Sequence, residues 1–211
     1  MQKLNSVKIW LGSIILMAIL LRFKFSWNKE ISPILYFTVQ SNLLCALYWI
    51  MSPYIKIQIK PYISLAVTMY MTITGLVFSL LINGTFMDKL YVLFEQLKID
   101  ETIYFLSIFN SGITHYIMPL LILIHFILLT DCSKIKLKYA KLLSLYPLVY
   151  FLFHIIYSVV TSKYIYPFLD PNYMGGWVVI IILVAVSSIA FWGLGKLIAK
   201  ANRYVTKKMI L

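Results

Sequence analysis

His115, His125 and His154 are the only histidines in this chain of 211 residues, and each lies inside a long apolar run. Histidine is uncommon at such depth, titrates near neutral pH and can accept a proton, so His115 and His154 stand as site candidates. His125 sits nearer the far end of its run and reads as a packing residue. Hydroxyls and carboxamides accompany them at helical spacing. Thr38, Ser41, Asn42, Cys45 and Trp49 share an arc of roughly 100° on one helix, with Gln40 directed elsewhere. Thr68, Thr72, Gly75, Ser79 and Asn83 recur at intervals of three and four on the next. Ser107, Asn110, Ser111, Thr114, His115, Met118 and His125 occupy one side of another, with Pro119 placed to bend it and free a backbone carbonyl. Pro147, Tyr150, His154, Ser158 and Thr161 form a fourth stripe.

A hydroxyl is a poor nucleophile until a neighbour takes its proton, and a histidine is able to take it. Asn42 or Asn110 would then supply donors to the oxyanion of acyl transfer. Other chemistries are disfavoured. No Asp or Glu falls in any apolar run, which removes paired-carboxylate hydrolysis and an acid-lined ion path. The histidines show neither a His-x-x-x-His nor a His-Glu-x-x-His spacing, and there is no Gly-rich phosphate loop, so neither metal nor cofactor is expected.

The elements that would position these groups follow from composition. Hydrophobic residues make up 62% of the chain and charged ones 12%, about half the charge share of a soluble domain. The net charge of +12 is spread between apolar runs instead of forming a basic stripe on a polar surface, which argues against nucleic acid as partner. A hydrocarbon core of about 30 Å needs roughly 20 apolar residues in a helix. Six stretches qualify: about 7–21, 34–51, 63–83, 103–129, 142–161 and 177–199. The fold class is therefore an all-α polytopic membrane bundle of six transmembrane helices forming one domain, 1–211. The fourth stretch is long enough for tilt or a bent end. Four of the six helices own a polar face, and Thr38, Asn42, Asn110, His115 and His154 are expected to converge in the outer half.

Thirteen of the nineteen Lys and Arg fall in the N-terminus, the second and fourth loops and the C-terminus. The opposite side holds Arg22, Lys24, Lys29, Lys89, Lys98 and Lys163, together with every acid except Asp131. Cations are retained in the cytoplasm, so both termini are placed there, in a cell membrane. Lys196 to Lys208 reads as a topogenic flank, with an amphipathic tail on the inner leaflet as the alternative. Thr85 to Thr102 suits a helix on the outer interface. The N-terminal run lacks a cleavage site and reads as a retained span. Cys45 and Cys132 lie at different depths, which disfavours a disulfide. No internal repeat is seen, which weighs against a transporter of duplicated halves.

The words YFTVQSNLL at Tyr36 to Leu44, THYIMPLLIL at Thr114 to Leu123 and YIYPFLD at Tyr164 to Asp170 resemble, in order along nearly the whole chain, a bacterial family of predicted six-span integral membrane proteins. More distantly the layout is similar to the eukaryotic androgen-induced-protein family, membrane hydrolases of hydroxy-fatty-acid esters that share a Tyr-Pro-Phe-Leu-acid word after the fifth span. That resemblance implies Thr38 as nucleophile and His115 as general base, with a lipid ester as substrate and membrane lipids as partners. Two other readings stand beside it: a non-catalytic lipid or small-molecule binding protein or transporter, and a structural membrane subunit whose polar faces are interhelical contacts.

Overall fold

Backbone N–H and C=O groups in hydrocarbon must pair within their own segment, which a helix achieves alone. Among the described residues the chain is helical, with no strand. The computed structural model describes residues 2–24, 31–56, 58–82, 84, 88, 92, 101–132 and 135–210. Six main helices follow one another: α1 (Gln2–Lys24), α2 (Phe37–Met51), α3 (Lys60–Ile82), α4 (Glu101–Leu129), α5 (Leu145–Thr161) and α6 (Trp177–Ile210). Both α3 and α4 carry a wider π turn, Phe78–Ile82 at the end of α3 and Ile113–Ile117 in the middle of α4.

Among the described residues five segments are long and apolar enough to cross a membrane: Asn5–Lys24, Lys60–Ile82, Glu101–Leu129, Lys141–Thr161 and Trp177–Lys208. The expected second span is apolar but only 15 residues long. The cause is local. Pro33 opens a separate 3-10 turn over Pro33–Leu35, and Tyr36 is extended (φ −77°, ψ 132°), so helical hydrogen bonding restarts at Phe37 rather than Ile34. In the other direction, α6 runs to Ile210 without a break, so the basic C-terminal stretch continues the helix instead of forming a separate tail. The interfacial helix expected over Thr85 to Thr102 falls almost wholly outside the described residues, as does Asn83.

The helices leave large apolar side chains on the outside, among them Trp10, Leu20, Leu80, Val160 and Ile189, each more than 60% exposed. Water would not tolerate so much apolar surface, whereas lipid does. Such helices are those of a membrane protein.

The chain divides into two compact units, Met1–Leu129 and Thr130–Leu211. In the first, α1 packs on α2, α2 on α3 and α3 on the second half of α4. Ile15, Ala46, Trp49, Met71, Met118 and Ile122 form its core. Gly12 sets the α1–α2 distance: a Cβ there would lie 2.8 Å from Ile50 Cγ1 and 2.9 Å from the Ala46 carbonyl oxygen. Small residues of this kind let membrane helices approach closely.

In the second unit, α5 buries Pro147, Tyr150, His154 and Ser158, its expected stripe apart from Thr161, which is exposed at the helix end. Ser162 closes α5 in the left-handed region (φ 55°). The YPFLD word makes a structured corner: Pro167–Leu169 is a 3-10 turn, Leu169 is buried, and Asp170 Oδ1 accepts the Asn172 N–H at 2.9 Å to cap the next short helix, Pro171–Met174. At the other end, Asn202 Nδ2 donates to the Thr130 carbonyl at 2.7 Å, and Arg203 donates to the carbonyls of Cys132 and Ile135. Cys132 and Cys45 are both free thiols. Burial, with Asp131 beside it, pushes the Cys132 thiol up to about 12, so it stays protonated and unreactive.

Gly12→Ala forces a Cβ against the Ala46 carbonyl and is expected to lower stability by about 1–3 kcal/mol. A Cβ at Gly112 meets nothing within 4 Å, so Gly112→Ala should stay within about 1 kcal/mol of the parent. Thermal unfolding of both variants in detergent measures the difference.

Candidate functional site

The first unit gathers four of the five candidate residues into one hydrogen-bonded network. Asn42, fully buried on α2, donates through Nδ2 to the Thr38 carbonyl at 2.9 Å and to the Thr114 carbonyl at 3.1 Å. The Thr114 hydroxyl donates to the Asn110 carbonyl at 2.9 Å, and Asn110 Nδ2 donates to the Ala18 carbonyl of α1 at 3.1 Å. Ser41, next to Asn42, shares a 2.7 Å hydrogen bond with Thr74 of α3. One polar seam thus ties α2 to α3 and α4, and α4 to α1.

His115 stands in the π turn of α4. Three oxygens surround its Nδ1: the Ser111 carbonyl at 3.0 Å, Thr114 Oγ1 at 3.1 Å and Ser111 Oγ at 3.2 Å. A carbonyl only accepts, so the proton resides on Nδ1 and the lone pair on Nε2. Nε2 has no hydrogen-bond partner among the described residues. The imidazole stacks on Phe78 with centroids 3.8 Å apart and planes inclined by 23°, so the two π turns meet at this ring.

Pro119 explains the local backbone. It has no N–H for the His115 carbonyl four residues back, and the ladder widens just before it, with Met118 N–H reaching the Ile113 carbonyl. The freed His115 carbonyl faces Gly75, where a Cβ would lie 3.2 Å from it and 3.2 Å from Pro119 Cβ. Where a bend was expected at Pro119, the helix carries a π turn over Ile113–Ile117, which holds His115.

Thr38 is the second residue of α2, partly exposed, and its hydroxyl has no hydrogen-bond partner among the described residues. Its carbonyl takes bonds from Ser41 Oγ and Asn42 Nδ2. No hydrogen bond joins the Thr38 hydroxyl to His115; Asn42 is the link between their helices. Because both amide hydrogens of Asn42 are engaged by carbonyls, it offers none to an oxyanion in this arrangement, and its Oδ1 is a buried acceptor without a partner. Asn110 has spent one hydrogen on Ala18 and retains another.

His154 belongs to the second unit. It is fully buried there, its ring 4.2 Å from that of Tyr150 and 5.1 Å from that of Phe153. Residues not singled out in the sequence as site residues are Ser111, Thr114 and Phe78, which hold the His115 ring. Ser111 was findable from its i, i+4 spacing to His115; Phe78 was not, since contacts between helices leave no local trace. His125, read as a packing residue, lies edge-on to Trp49 with centroids 6.2 Å apart.

No group of three or more metal-ligating side chains occurs among the described residues. In comparisons with known proteins, no protein family, curated sequence or solved structure matches the chain.

Asn42→Ala removes two bonds to carbonyls on different helices and is expected to cost about 1–2 kcal/mol, near the upper end for polar contacts between membrane helices. Ser41→Ala, which removes one, should cost about 0.6 kcal/mol. Unfolding of the detergent-solubilised chain ranks the two.

Proposed function

We propose that the chain crosses the membrane six times with both termini in the cytoplasm, and that its first unit carries an intramembrane Thr/His site that hydrolyses lipid esters. The observation that carries this reading is the state of His115: Nδ1 held 3.0 Å from the Ser111 carbonyl, leaving Nε2 as a lone pair without a partner. A general base needs this arrangement, one nitrogen fixed by an orienting acceptor and the other open to the nucleophile's proton. Thr38 supplies a hydroxyl with no competing partner on the helix that Asn42 links to Thr114. A substrate carbonyl entering from lipid would be attacked by Thr38 Oγ1 while His115 Nε2 takes the proton. His115 would return that proton to the alcohol oxygen as the ester C–O bond breaks and the acyl-threonine forms; a water molecule, deprotonated by the same Nε2, would then attack the acyl carbon, and the proton would pass to Thr38 Oγ1 as the fatty acid leaves. Of the two carboxamides, Asn110 alone keeps an N–H for the oxyanion. The word resemblance supports the same roles and the same family.

A second reading, a non-catalytic lipid-binding bundle, is favoured by the absence of a bond between Thr38 and His115 and by the commitment of Asn42 to helix contacts. Activity decides between them. Purified full-length chain is expected to release fatty acid from long-chain esters of hydroxy fatty acids and to react with a fluorophosphonate probe. Thr38→Ala and His115→Ala are each expected to lower the rate by about 10²–10⁴-fold. Wild-type turnover that survives both substitutions would overturn the roles, and no turnover on any such ester would favour the binding reading.

A further inference from the structure

The opposite end of the first unit, where α1 and α3 begin and α2 and α4 finish, holds a second cluster that the hydrolase reading does not use. Lys8 lies on the second turn of α1, one turn before Gly12, which packs against Ala46 and Ile50 near the end of α2. Its side chain is only 7% exposed. The charges that act on it and on its neighbour His125 are cationic: Lys60 acts on Lys8, and both lysines act on His125. Among the described residues no carboxylate is paired with either. Asp131, the acid nearest to His125 in sequence, is exposed two residues beyond the end of α4.

Around these cations the protein buries polar atoms with no partner among the described residues: Trp49 Nε1, Ser52 Oγ, Ser64 Oγ and both nitrogens of His125. Trp49 and His125 are in ring contact, and Ser64 lies one turn from Lys60 on α3. Leaving a buried donor unsatisfied costs about 1–3 kcal/mol, so the indole N–H, the two hydroxyls and the protonated nitrogen of His125, all carried by the ends of α2, α3 and α4, need an account. An apolar filling would leave every one of them unpaired. Water would satisfy the hydroxyls and the indole but not the uncompensated ammonium charge. An anion with several acceptor oxygens satisfies both, because an indole N–H and an ammonium only donate and a hydroxyl readily does.

We propose that this end of the first unit is a binding site for a phosphate oxyanion, with Lys8 and Lys60 supplying the charge and Trp49, Ser52, Ser64 and His125 the neutral hydrogen bonds. In a membrane the phosphodiester of an anionic phospholipid headgroup presents that chemistry, since its acyl chains would lie along the apolar outer faces of the helices. The site rests on different residues from the Thr38 and His115 chemistry and stands or falls separately from it.

The test uses the full-length chain in neutral, phosphate-free detergent, with its unfolding temperature followed during titration with dihexanoyl phosphatidylglycerol, dihexanoyl phosphatidylcholine or inorganic phosphate. Phosphatidylglycerol is expected to raise the unfolding temperature with half-saturation about tenfold below that of phosphatidylcholine. Lys8→Gln should weaken the phosphatidylglycerol response by about tenfold or more, and Lys8→Arg by no more than about threefold, while Lys207→Gln on α6 leaves it unchanged. Trp49→Phe, which keeps an aromatic ring but loses the N–H together with part of the indole's volume, provides a reading if Lys8→Gln does not fold, with an expected weakening of about threefold to tenfold. Inorganic phosphate that competes with phosphatidylglycerol at similar concentration supports the oxyanion site and assigns it to free phosphate; an effect confined to the lipid assigns it to the headgroup. Equal responses to the anionic and zwitterionic lipids, or a Lys8→Gln response equal to that of Lys207→Gln, would overturn the proposal.

Discussion

In hydrocarbon a carboxamide cannot fall back on water, so a buried asparagine has to find its partners in the protein, and the helices supply them. Asn42 meets this constraint by donating to carbonyls of two different helices, its own at Thr38 and that of α4 at Thr114. Asn110 does the same from α4 to α1, and Ser41 from α2 to Thr74 on α3. Each bond is modest by itself. Together they fix the rotation of four helices about their axes, because a helix turned by one residue, 100°, would swing its polar atom out of reach. The position of His115 depends on that rotation: its ring is gripped by Ser111 and Thr114 from below and covered by Phe78 from α3.

What the sequence disclosed, and what it hid, follows from the range of the interactions. The stripe Ser41, Asn42, Cys45 and Trp49 was legible because helical periodicity is a local property, and all four are buried. So was Pro147, Tyr150, His154 and Ser158, which are the buried residues of α5. The existence and type of the helices were equally plain from apolar run lengths. The start of α2 was not, because apolar residues continue from Ile34 while Pro33 and Tyr36 impose a turn that hydropathy does not register. Ser79 shares the α3 stripe in sequence yet is exposed, since the π turn from Phe78 shifts the register of everything after it. The use of Asn42 was hidden for another reason. Sequence shows that an amide has donors to give, while only packing shows that carbonyls of α2 and α4 have taken them.

The shortness of α2 bears on the surroundings of its first turn. Fifteen helical residues span about 22 Å, so α2 falls roughly 8 Å short of an ordinary hydrocarbon core. The deficit lies where Pro33–Leu35 and the extended Tyr36 replace helix, since the Met51 end is followed directly by turns and the exposed Lys56. Non-helical backbone at membrane depth survives only where protein buries it or where it lines a wet cavity. Ile31 and Phe37 are buried on either side of that turn, while Ser32 and Ile34 are exposed. Thr38 is the second residue of the helix that begins there. The ester hydrolysis proposed above consumes a water molecule, and a fully immersed helix would keep water from its hydroxyls. On that proposal, a helix that begins late, beside a polar backbone turn that must itself be hydrated or covered, would set its first hydroxyl where an acyl chain and a water molecule can both arrive.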